Sequence, residues 1–349
     1  MEKGKKKTYY ITVLNVVSAI AVVFIHANGY FWRRYEDGLN WKTSNFMETF
    51  CYFAVPCFFM ITGATLMDYG DRYTLKEYFI KRIKKTVIPF IIWSVIGFLY
   101  YGFVLKSFKP EEYYSVKAFF NGIMNTDFVS IYWFFPKLYL VYLSIPLFAG
   151  VEKAKRKEIF SYLAIAGFIL NAAIPFVTSV FKLDLYNGIT IITVSDYLIY
   201  PVIGYLIANY EIPKKGRLAI YLASITGFLI QFVGTDIISS EAGETLRTLK
   251  GYNNAIGIMY SVGIFVWFRY NIKSDGSGKA GKLFTTVSGY TFGLYLFHKF
   301  LLDTVKNMTS IDYTSFLFRL GVPVAVIIVC IVVIFLVQRI PVINKLLFP

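Results

Sequence analysis

Histidine is nearly missing from this chain, with 2 among 349 residues, His26 and His298. Charge is scarce as well: Asp, Glu, Lys and Arg make up 16% of the residues against 56% hydrophobic ones, where a soluble domain carries about 25% charge. With a mean hydropathy of +0.55, that balance excludes an ordinary soluble enzyme and reads as a polytopic membrane protein. Cysteine is sparse too. Cys51, Cys57 and Cys330 lie in apolar segments and share no metal-ligand spacing, which argues against a disulfide framework and a zinc site. No Gly-rich phosphate loop, dinucleotide-binding fingerprint or HExxH is present, so none of those chemistries is indicated. Lys3, Lys5, Lys6 and Lys7 precede an apolar run without a small-residue cleavage site, and that run reads as a retained first helix.

What the chain does have is a series of membrane-length apolar runs. A span needs about 20 apolar residues. That ruler places helices near 9–28, 46–67, 86–106, 131–149, 158–180, 190–208, 217–235, 253–270, 284–304 and 316–338. The expected fold is all-α: a polytopic membrane protein, a single bundle of about ten transmembrane helices with both termini cytoplasmic. Residues 1–349 are expected to form one domain. With that topology the inner segments hold roughly 23 of the 36 Lys and Arg but only roughly 8 of the 21 Asp and Glu. The formal net charge of +15 therefore falls on one side of the membrane. Basic charge spread over cytoplasmic loops beside anionic lipid also disposes of a nucleic-acid partner.

Both histidines sit inside these runs. Histidine is costly at membrane depth and titrates near neutrality, which makes it a natural proton carrier there. The topology puts both in the outer half of the bilayer, on helices running the same way. Asn15 lies eleven residues before His26, about 16 Å deeper and nearly on the same face. Thr291 and Tyr295 share the face of His298, and Tyr295 is placed to fix its imidazole tautomer. Glu48 at the outer start of the second helix, Trp133 and Lys137 in the fourth, Asp196 in the sixth, and Lys299 and Asp303 ending the ninth suggest a polar pocket opening outward. Ordinary readings stand beside these. Glu48, Lys299 and Asp303 are close enough to the surface to snorkel, Lys137 and Asp196 fit a structural ion pair, and His298 fits a hydrogen bond between helices.

Several ordered pieces resemble one family over nearly the whole chain. They are the first helix ending Val22-Val23-Phe24-Ile25-His26, the segment Val55-Pro56-Cys57-Phe58-Phe59-Met60-Ile61-Thr62-Gly63, and the basic stretch from Phe79 through Arg82, Lys84 and Lys85 to Pro89. Tyr132-Trp133-Phe134-Phe135 with Ile145-Pro146-Leu147, and Ser288 to His298, complete the set. The chain resembles the membrane acyltransferase 3 family, inner-membrane O-acyltransferases that decorate exported glycans. The resemblance implies acyl transfer, of acetyl first of all, from cytoplasmic acyl-CoA to a hydroxyl of an extracytoplasmic or lipid-linked carbohydrate, in the cell membrane. Acyl-CoA is then a donor substrate and no cofactor stays bound.

In the roles this implies, His26 and His298 carry the catalysis, with His26 as base and His298, Lys137 or a backbone N–H serving the oxyanion. Asn15, Arg82, Lys84 and Lys85 meet the donor. Glu48, Trp133, Lys137, Asp196 and Tyr295 meet the acceptor. Membrane lipids are expected partners, and a homo-oligomer is compatible. One position departs: the family carries Arg or Lys where this chain has Asn15, which hydrogen-bonds but brings no charge. The esterase-like domain that some members add is not expected here. A transporter or flippase for a glycolipid or small solute, with the histidines as a proton relay, is the competing class. The paired inverted repeats such proteins often carry are not found. A catalytically lapsed relative is a third reading.

Overall fold

The computed structural model describes residues 2–32, 35, 38–183, 190–341 and 343–349. Residues 33, 34, 36 and 37 of the expected outer segment 29–45, and the side chains of Lys3, Lys5, Lys6 and Lys7, lie outside that description. The fold is 77% helical, with no strand among the described residues. The helices that build the bundle are α1 (Glu2–Ala27), α2 (Leu39–Cys51), α3 (Ala54–Leu66), α4 (Leu75–Val104), α5 (Phe134–Ala149) and α6 (Arg156–Phe181). They continue with α7 (Ile199–Asn209), α8 (Lys214–Ala242), α9 (Ala255–Asn271), α10 (Lys279–Ser288), α11 (Thr291–Met308) and α12 (Phe316–Val337). Seven helical stretches among the described residues are long and apolar enough to cross a membrane. The chain is a multi-pass membrane protein.

The other three expected spans are helices too, but depart from a simple rod. α7 has 11 residues and follows a pair of short 3-10 turns over Ile192–Val194 and Asp196–Leu198, so the first third of the expected 190–208 helix is irregular. α9 has 17 residues. The expected 284–304 helix is broken at Gly289–Tyr290 into α10 and α11. The second expected span begins earlier, at Leu39, and breaks at Tyr52–Phe53. Pro56 explains that break: it has no N–H to give, and its ring collides with the carbonyl four residues back, that of Tyr52. Pro89 and Pro175 follow widened π-type turns at Ile83–Val87 and Phe168–Ala173, which absorb the same clash without ending α4 or α6.

α1 occupies the middle of the bundle, touching α2, α3, α9, α10, α11 and α12. Its side chains enter both large apolar cores, one built with α3, α7 and α9 and one with α4, α11 and α12. That central position is why polar groups on α1 are enclosed by protein rather than lipid. Small residues set the tightest crossing, between α3 and α7. A Cβ on Gly63 would lie 2.0 Å from the Pro201 carbonyl oxygen, and one on Gly204 2.1 Å from that of Met60. Close backbone approach at small residues is how helices gain packing where water supplies no hydrophobic drive. Gly204→Val is therefore expected to cost about 3 kcal/mol, at the upper end of overpacking penalties, because the obstructing atoms are backbone. The thermal unfolding midpoint in detergent reads this out, and an unchanged midpoint would contradict so close a crossing.

Candidate active site

The end of α1 brings His26 against α11. His26 Nδ1 and His298 Nε2 are 2.8 Å apart, and the rings lie nearly parallel at 19°. The other ring nitrogen of His298, Nδ1, is 2.8 Å from the Leu294 carbonyl oxygen one turn back. A carbonyl only accepts, so Nδ1 of His298 carries the proton. A neutral His298 then has its lone pair on Nε2 and must accept, which makes Nδ1 of His26 the donor. A neutral His26 is left with an unshared lone pair on Nε2. The chain Leu294 carbonyl, His298, His26 thus fixes both tautomers and leaves one basic nitrogen. His298 is fully buried, whereas His26 is half-buried. Tyr295 does not fix the tautomer as expected, because its hydroxyl donates to the Ile131 carbonyl.

His26 borders two cavities. One, of about 220 Å³, is lined by Gly29, Trp32, Lys299, Asp303 and Lys306 among others. The second, about 40 Å³, is framed by Val22, Val55, Trp133, Phe134, Tyr252 and Tyr295. Phe134 and Tyr295 also line a third cavity of about 160 Å³ further down α1, together with Asn15, Thr86, Tyr142 and Thr291. These spaces form a column along α1 with His26 between its polar upper room and its aromatic lower part. The Asn15 amide donates to Ser288 Oγ (3.1 Å) and Thr291 Oγ1 (2.8 Å), tying α1 to both sides of the α10–α11 break.

Of the basic stretch expected to meet the donor, Arg82 approaches the lower cavity. Its guanidinium lies 5.4 Å from the centre of the Tyr142 ring, and Thr86, which lines that cavity, donates to its carbonyl. Lys84 and Lys85 are exposed. Trp133 borders the small cavity and stacks on Tyr252 with ring centres 5.9 Å apart. Lys137 and Asp196 form an ion pair at 2.6 Å, and Asn253 donates to the same carboxylate, so the pairing expected from the sequence is formed. Lys299 and Asp303 pair one turn apart on α11, and both line the upper cavity.

Glu48 is not at a helix start. With α2 beginning at Leu39, it lies about two and a half turns in and is 1% exposed. It accepts from Asn28 at 3.2 Å and from the Trp32 indole at 2.9 Å, and Asn28 is locked in turn by Ser44. This network clamps the turn after α1 and holds Trp32 at the wall of the upper cavity. Lys250, buried in the loop before α9, donates to Thr49 Oγ1. Burial pushes its pKa down and the Glu48 charge opposes that. Trp32, Tyr252 and Lys250 escaped the sequence reading because they lie in connections whose course no periodicity describes. The available signal was a carboxylate, Glu48, at the edge of an apolar run, which needs partners once it is buried.

Fold and site together define a polytopic helical membrane protein with a hydrogen-bonded histidine pair between two cavities. Residues 8–338 match the family model described as "Acyltransferase domain", acyl transferase 3. The chain belongs to that family and is a membrane acyltransferase. No curated protein and no solved structure matches it.

Proposed function

We propose that this acyltransferase moves an acyl group, acetyl in the first instance, from cytoplasmic acyl-CoA to a hydroxyl of an extracytoplasmic or lipid-linked carbohydrate. The observation that carries the reading is the free lone pair on His26 Nε2, held at the junction of the cavities by His298. The charge distribution supports an N-terminus inside, and on that reading the upper cavity opens to the outer face of the plasma or inner membrane and the lower column leads from the cytoplasm.

The acceptor hydroxyl enters the upper cavity and gives its proton to His26 Nε2 as its oxygen attacks the thioester carbonyl. Positive charge grows on His26, and its Nδ1–H bond to His298 becomes charge-assisted and stronger. The tetrahedral intermediate collapses, the C–S bond breaks, and the proton on His26 passes to the departing thiolate. Both nitrogens of His298 are engaged in this chain. Its role is therefore to orient and support His26 rather than to donate to the oxyanion. Lys299 contributes positive charge to the same cavity, tempered by Asp303. Asn15, which borders the lower cavity, is a neutral contact for the donor's arm, and Arg82 meets its phosphates at the inner mouth.

Purified protein in proteoliposomes, given labelled acetyl-CoA and a glycan acceptor, should release CoA and label the acceptor. CoA release that ignores the acceptor would overturn the reading. Arg82→Gln is expected to raise the KM for acyl-CoA at least tenfold or so, the worth of a charge-assisted hydrogen bond, with a smaller change in kcat. An unchanged KM would leave Arg82 as a charge that anchors the helix end.

A further inference from the structure

We propose that the small cavity beside His26 holds the acyl group in transit, and that its walls limit the transferred group to about the size of acetyl. The inference rests on the acyl-transfer reading and names the residues that choose the donor. The cavity shares Ile25 and His26 with the upper cavity, and Phe134 and Tyr295 with the lower one. The upper and lower cavities have no lining residue in common, so the small one is the junction between them. With the acceptor above and the donor's arm below, the carbonyl under attack sits at this junction, beside His26, and the rest of the acyl group takes the space that the junction leaves.

That space is small and its walls are held. A water-sized group needs about 10–15 Å³ of cavity, so a volume of about 40 Å³ takes roughly three such groups. Acetyl fills it with its methyl, carbonyl carbon and oxygen; propionyl adds one methylene and butyryl two. Trp133 stacks on Tyr252 with ring centres 5.9 Å apart, and Tyr252 stacks on the buried Tyr52 at 4.2 Å, so one wall is the end of a three-ring stack. The Tyr252 carbonyl accepts from the hydroxyl of the fully buried Tyr200. Tyr295 donates to the Ile131 carbonyl, which ties two lining residues to each other. Phe134 packs on Phe59 with ring centres 4.9 Å apart. Val22 of α1 and Val55 of α3 complete the lining, and both are buried and stiff about χ1. Walls that cannot swing aside turn size into discrimination, about tenfold or more per methylene in a fitted apolar pocket.

The test uses the full chain in proteoliposomes with one acceptor and acetyl-, propionyl- or butyryl-CoA, and reads kcat/KM for each donor. Butyryl-CoA should fall at least about 100-fold below acetyl-CoA, with propionyl-CoA between them. Val55→Ala takes two carbons out of the wall at a position where alanine favours the helix, and should raise the butyryl-to-acetyl ratio about tenfold or more. Trp133→Phe, which trims the wall but keeps a ring to stack on Tyr252, should move the ratio the same way. Ile61→Ala enlarges the lower cavity, which Ile61 lines, and not the junction, which it does not, so the ratio should stay where it was. If Val55→Ala does not fold, the wild-type series and Trp133→Phe decide. Butyryl used by the wild type as well as acetyl, a ratio unmoved in folded Val55→Ala and Trp133→Phe, or an equal rise in Ile61→Ala would overturn the proposal and leave acyl transfer standing. Transfer from none of the three donors would overturn the acyl-transfer reading and this inference with it.

Discussion

His26→Ala is expected to lower acyl transfer by roughly 10²–10⁴-fold, the usual worth of a positioned general base, while the protein remains in the membrane at the wild-type level. The structural cost should be small. His26 is half-buried and borders two cavities, so losing the ring enlarges existing space rather than opening a void in packed core. The fold at this point is held by other groups. Asn28, Ser44 and Glu48 fix the turn after α1, and none of them touches the imidazole. His26→Asn sharpens the test. Its amide sits at about the reach of imidazole Nδ1 and can still donate to His298 but has no basic nitrogen, so it should be as inactive as alanine. The measurement is transfer of labelled acetyl to acceptor by purified variants of equal thermal stability. Either variant running at wild-type rate would remove His26 from the chemistry.

The sequence revealed the part of this site that depends on spacing along one helix. Two histidines, each enclosed in an apolar run, were visible at once, because an ionisable residue at membrane depth needs a reason. That they meet was not visible, since 272 positions separate them and periodicity within a helix carries no information about which helices touch. The Lys137–Asp196 pair was legible as complementary charge at similar depth. Its third member, Asn253, sits in a loop and was not. Glu48 was read too near the surface, because α2 starts seven residues before the hydropathic boundary, at the polar sequence Leu39-Asn40-Trp41-Lys42. The break between α10 and α11 was hidden for the opposite reason. Ser288-Gly289-Tyr290-Thr291 carries no charge and is short enough to pass within a longer apolar run as continuous helix, and Asn15, reaching across to Ser288 and Thr291, ties the two sides of the break to α1. Asn15 is thus a junction between helices as well as a cavity wall.

His298→Leu and His298→Gln are expected to separate, and the separation identifies what the second histidine does. Leucine leaves the Nδ1–H of His26 without an acceptor, so the ring is free to turn or to change tautomer, and its basic nitrogen is no longer held at the cavity junction. A loss of roughly 10²–10³-fold in kcat is expected, within the range for a misplaced general base, with the KM for acyl-CoA unchanged because the proposed mechanism gives the donor's phosphates to Arg82 and not to the histidine pair. Glutamine carries an amide oxygen at about the reach of imidazole Nε2 and can accept the same bond, so it should recover a substantial part of the rate. Equal losses in both variants would mean that His298 itself exchanges protons with substrate. No loss in either would reduce it to packing. The decisive comparison is the double variant His26→Ala/His298→Leu. If His298 acts only through His26, removing it from an enzyme that already lacks the base has nothing left to cost, and the double variant should be no slower than His26→Ala alone. Independent roles would instead multiply the two losses. The hydrogen-bond chain from the Leu294 carbonyl requires the first outcome, because it gives His298 no free nitrogen with which to act on its own.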